Sequence, residues 1–92
     1  MKVNLTNKYF LYRLKVREYE LEKVESILRT SFEVYFDSDT GRNIKVGKHD
    51  NVLIIVAYDV EQDGSTTPVT VYQTSRKQIN YYLKKERFHV KA

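Results

Sequence analysis

The residues with the clearest capacity for chemistry lie at one junction, Thr74-Ser75-Arg76-Lys77-Gln78, where an alternating segment runs into a helical one. Ser75 followed by Gln78 has the S-x-x-Q spacing of a capping box, in which each side chain satisfies the other's free backbone N–H. The cap fixes where Arg76 and Lys77 point. Two cations at a helix N-terminus add to the positive end of the dipole instead of neutralising it, so the placement suits an external anion. Tyr81 and Tyr82 follow one turn later. Among basic neighbours a tyrosine hydroxyl is a candidate acid or base, and an imidazole such as that of His49 is the commonest group for either role. Arg76, Tyr81, Tyr82 and His49 are therefore candidate catalytic groups, with His49 also readable as a solvated residue of the turn Gly47–Asn51.

The chemistry these groups suit is cleavage of RNA by its own ribose 2′-OH. That reaction needs a proton acceptor, cations for the developing charge and a proton for the leaving oxygen. Other chemistries find less support. The chain has no cysteine and two widely separated histidines, so no cofactor or zinc site is expected. Glu22/Glu25 read as a solvated helix face and Asp37/Asp39 as a turn. The three glycines form no phosphate loop. His89 reads as part of a C-terminal tail.

Charge is unevenly spread. Residues 1–19 carry five Lys/Arg against one Glu and residues 75–92 carry six against one, while residues 20–74 carry five against ten carboxylates. If the basic ends meet in the fold they make a positive face for a polyanion, bringing Arg13 and Arg17 beside Lys77, Asn80 and Lys84. Ninety-two residues without an 18-residue apolar run or a signal-peptide pattern suggest a single cytoplasmic domain with no membrane span.

The supporting elements follow from periodicity. Val3–Leu5 reads as a short first strand. Residues 7–16 carry Phe10, Leu11 and Leu14 at helical spacing, although Phe10, Tyr12, Leu14 and Val16 also alternate; continuity with the next helix favours the helical reading. Leu21, Val24, Ile27 and Leu28 give a second helix over Glu20–Arg29. Four strands follow, over Phe32–Asp37, Arg42–Gly47, Val52–Tyr58 and Thr67–Gln73, separated by turns rich in Asp, Asn and Gly. The apolar run Val52–Tyr58 reads as a central strand covered on both faces. A helix over Arg76–Lys85 closes the chain, with Ile79, Tyr82 and Leu83 inward and Arg76, Asn80 and Lys84 outward. The expected fold is α+β: N-terminal helices, a four-stranded antiparallel meander and a C-terminal helix.

The run Arg42-Asn-Ile-Lys45-Val-Gly-Lys48, then Val52–Tyr58, then Val69-Thr-Val-Tyr-Gln-Thr-Ser-Arg76-Lys77 and Tyr82 resembles the small ribonuclease toxins of the RelE/BrnT kind. The likeness extends to the two-helix opening, Leu14 to Leu28. It implies an mRNA-cleaving endonuclease, free or acting on the ribosome, held inactive by a cognate antitoxin. The resemblance places Arg76 and Tyr82 at the active site and Lys45 and Lys48 on the preceding hairpin, with Arg42 in the same basic stretch. The chain departs from BrnT-like openings at Val16-Arg17-Glu18, where they usually carry Lys-His-Gly. Periodicity and resemblance also disagree over the tyrosines: Tyr82 faces inward and Tyr81 outward. Two other readings stay open: a nucleic-acid-binding module without catalysis, and a toxin-like protein-interaction domain.

Overall fold

A computed structural model describes residues 1–91. Asn7 opens the first helix by accepting the Phe10 N–H on its side chain at 3.0 Å, and Glu18 closes it in the left-handed region at φ 59°. Those two ends select helix over strand for α1 (Lys8–Arg17). Phe10 and Leu14 are buried as expected, but Leu11 stays exposed. Helix α2 (Leu21–Thr30) buries Val24, Ile27 and Leu28. The strands are β1 (Val34–Asp37), β2 (Arg42–His49), β3 (Val52–Val60) and β4 (Thr66–Thr74), followed by α3 (Arg76–Lys84) and β5 (Phe88–Val90).

The fold is α+β, with a five-stranded antiparallel sheet in the order β4-β3-β2-β1-β5 in place of the expected four. The additional strand contains His89, which therefore belongs to the sheet. Phe88 pairs with Asp37 and His89 with Phe36. Val3 makes only an isolated bridge to Thr66 instead of a full strand.

Two cores lie on opposite faces of the sheet. Helices α1 and α2 cover Ile54, Val56, Tyr58 and Val71, while α3 covers Ile44, Val46, Ile55, Ala57 and Phe88. Strand β3 supplies both interiors, as its continuous apolar run demands. The arrangement also separates the two basic ends. Helix α1 packs against one face and α3 against the other, so the sheet lies between the two basic helices.

The hairpin between β2 and β3 is tighter than the sequence suggests. Gly47 and Lys48 remain in strand and pair with Ile54 and Leu53, leaving only Asp50 and Asn51 to turn. Gly47 is a packing glycine: an added Cβ would meet three Ile27 side-chain atoms at 2.6–2.9 Å.

Candidate functional site

Ser75 caps α3 from an extended backbone, accepting the Gln78 N–H at 3.1 Å. The reciprocal arm of the box is not made; Gln78 Oε1 instead accepts from the Thr74 hydroxyl at 3.3 Å. One cap suffices to start the helix at Arg76. From there the Arg76 guanidinium reaches Glu33, with Nη1 2.5 Å from Oε2. Arg76 is thus held by a carboxylate that the sequence did not connect to it.

The sheet explains the meeting. The Glu33 carbonyl accepts the Val46 N–H at 3.0 Å, which sets Glu33 level with Val46. Val46 pairs with Ile55, and Ile55 with Tyr72 in β4, two residues before the strand ends. Glu33 therefore stands on the face over which α3 begins. Tyr35, two residues along, donates its hydroxyl to the same Oε2 at 2.7 Å. Both bonds fall on Oε2, and Oε1 carries none among the described residues.

These contacts set the protonation states. The Arg76 hydrogen bond, opposed by burial and helped by Tyr35, holds the Glu33 carboxyl below the usual range. Burial, then the bond to Glu33, pushes the Tyr35 hydroxyl up to about 12. The group is an ionised carboxylate with one free oxygen, a protonated phenol behind it and an exposed guanidinium beside it. A carboxylate so placed can accept a proton while the guanidinium holds a phosphate.

Several expected residues share the α3 side of the sheet with this pair. Gly47 faces Ile27, so alternation turns Lys48 to the opposite face, that of α3. Lys48 pairs with Leu53, and Leu53 with Thr74, placing Lys48 in the row that leads into the Ser75 cap. Lys77, Tyr81 and Tyr82 line a groove of about 350 Å³ with Ser75 and Gln78. Tyr81 is 55% exposed, with the Lys85 ammonium 5.7 Å from its ring centre. Tyr82 is half-buried: Phe88 lies 5.1 Å away and the Arg87 guanidinium 4.6 Å over its ring. Asn80 and Lys84 lie exposed along α3.

The remaining candidates are elsewhere. His49 is a buried strand residue, not a solvated turn residue; its Nε2 accepts the Glu20 N–H at 2.9 Å and its ring meets Tyr19 edge-on. It therefore caps the start of α2. Arg13 binds the Tyr9 hydroxyl through Nε at 2.6 Å, and Arg17 reaches the Val71 carbonyl at 3.3 Å, both on the α1 side. Arg42 pairs with Asp59 at 3.2 Å. Lys45 lies on the α2 face, donating to the Leu28 carbonyl at 2.6 Å, and burial lowers its pKa.

Glu20, His49 and Asp50 converge closely enough to hold a metal ion. The Lys23 ammonium already occupies that position, paired with both Glu20 and Asp50. The cluster thus has its cation built in.

Neither protein-family models, curated proteins nor solved structures yield a match to this chain. The site therefore rests on its own geometry.

Proposed function

We propose that the protein is an endoribonuclease that cleaves RNA through its 2′-OH, and that it acts as a toxin restrained by a cognate antitoxin. The observation carrying the catalytic part is the Glu33–Arg76 pair at the start of α3, with Glu33 Oε1 free beside it. Glu33 Oε1 takes the proton from the 2′-OH. The 2′-oxygen attacks the adjacent phosphorus, and Arg76 and Lys77 stabilise the charge on the phosphoryl oxygens. The bond from phosphorus to the 5′-oxygen breaks, and Lys48 gives that oxygen its proton. The products are a 2′,3′-cyclic phosphate and a 5′-hydroxyl, with no metal used. Tyr35 is a positioning residue: it binds Oε2 and so orients the other oxygen. The toxin role and the antitoxin partner rest on the resemblance to RelE/BrnT-like proteins.

Binding without cleavage is the second reading. It is favoured by the exposed cations Lys77 and Lys84 along α3, which can hold phosphates without any proton transfer at Glu33.

The test is induced expression together with incubation of purified protein and RNA in the presence of EDTA. Growth arrest and cyclic-phosphate ends are expected, both abolished by Glu33→Gln and Arg76→Ala. Folded wild-type protein that leaves growth and RNA unchanged refutes the catalytic reading. Salt-sensitive binding without cleavage would establish the second.

A further inference from the structure

Immediately before Glu33 lies the most solvent-exposed large hydrophobic residue of the described chain, Phe32, at 97%. A lone exposed apolar side chain is ordinary. Three features set this one apart.

The backbone beneath it is pinned. Ser31 Oγ donates to the Val46 carbonyl at 2.6 Å and accepts the Glu33 N–H at 3.2 Å, and the Glu33 carbonyl accepts the Val46 N–H at 3.0 Å. Phe32 is presented from a bound segment.

Its surroundings are positive. Phe32 borders a groove of about 390 Å³ on the α2 face of the sheet, whose lining includes Lys45 and Lys91, together with Arg29, which is paired with Glu25 at 3.2 Å. Lys45 is partly desolvated, with its ammonium on the Leu28 carbonyl, so an anion nearby would relieve the cost of its burial. An acidic protein segment would answer the charge alone. An exposed flat ring among cations that can track a backbone answers an unpaired polynucleotide better, because every base has a face to stack.

Its position is next in sequence to the candidate chemistry but on the other side of the sheet. Phe32 and Glu33 are consecutive and point to opposite faces, so a strand with one base on Phe32 reaches Arg76 only by passing round the segment that carries both. We infer that Phe32 is a stacking subsite for an unpaired base of the bound strand at a distance from the scissile linkage, with Lys45 and Lys91 holding the backbone that runs on over the α2 face. The inference rests on the endonuclease reading for the term scissile, and it restricts the substrate to single-stranded RNA.

The experiment measures binding separately from cleavage. A fluorescently labelled unpaired RNA and a duplex of the same length are titrated with the intact chain carrying Glu33→Gln, with and without Phe32→Ala or Phe32→Trp. Phe32→Ala should weaken single-strand binding roughly 5- to 150-fold, the effect of one lost stack, and leave the duplex unchanged. Phe32→Trp should retain it. Replacing Lys45 and Lys91 by Met should reduce the salt slope by about 1.4, from two phosphate contacts at about 0.7 each. Single-strand binding that is absent, or unaltered by Phe32→Ala, overturns the subsite and leaves this surface to a protein partner. A wild-type chain that cleaves nothing, yet loses binding on Phe32→Ala, refutes the catalysis while the subsite stands.

Discussion

Arg87→Met is expected to be among the most damaging single substitutions outside the candidate site. Asp37 is 1% exposed, and its two oxygens accept Arg87 Nε at 2.9 Å and Nη2 at 3.0 Å. Burial alone would raise the Asp37 carboxyl, but the Arg87 bonds and the Asp39 N–H outweigh it and hold the group below its usual range. Removing the cation leaves a buried carboxylate uncompensated, at a cost of about 3–5 kcal/mol. Against a total of roughly 5–14 kcal/mol for a domain of this size, that is a large share. It corresponds to a fall in Tm of roughly 12 °C or more.

The pH dependence separates this mechanism from simple loss of packing. In the wild type the folded Asp37 pKa lies below its unfolded value of about 3.9, so its contribution is present above that pH and is lost as pH falls through the folded value. Without Arg87 the folded pKa rises above the unfolded one. The penalty is then full at pH 7 and fades as pH falls through the raised value. The deficit of Arg87→Met, read from urea melts followed by circular dichroism, should therefore shrink between pH 7 and pH 4.5. It should not vanish, because Arg87 also covers the Tyr82 ring. Adding Asp37→Asn should recover stability at pH 7. A deficit under about 1 kcal/mol at pH 7, or one equal at both pH values, would refute the reasoning.

Gly47→Ala should cost about 1–3 kcal/mol by forcing a Cβ into Ile27. The cost should fall when Ile27 is also made Ala, and strict additivity in a double-mutant cycle would contradict the contact. His49→Phe should cost about 1–3 kcal/mol by orphaning the Glu20 N–H. Faster exchange of that amide is the accompanying sign, and unchanged stability with unchanged exchange would rule it out.

Helices α2 and α3 were legible because each carries a helical period, and strand β3 because its apolar run is continuous. Helix α1 was ambiguous in pattern, and the Asn7 and Glu18 ends resolved it. Strand β5 was hidden for a different reason. Phe88-His-Val90 is short and flanked by charge, and Glu86 takes the left-handed turn at φ 61° where a glycine would have signalled it. Its strand character comes from pairing with β1, which no local pattern encodes. The site divides in the same way. Arg76 was visible through its cap, but Glu33 lies 43 residues earlier and meets it only through sheet register. The signal available was modest: Glu33 and Tyr35 share one face of an alternating segment. His49 was misplaced because Gly47 resembles a turn residue, whereas it is needed in mid-strand for close contact with Ile27.

Strand β3 carries one further consequence. Slipping an ordinary half-exposed strand by one residue puts its apolar set in water, and that penalty fixes the register. Here a slip would merely exchange Ile54 and Val56 with Ile55 and Ala57 between two dry interiors. Hydrophobicity therefore holds the strand in place without saying where along its length it should stop. That information must come from its ends: the two-residue turn with Asp50 at φ 55°, and the irregularity that sets Tyr58 opposite Pro68. In this domain the alignment of the central strand is written in its corners.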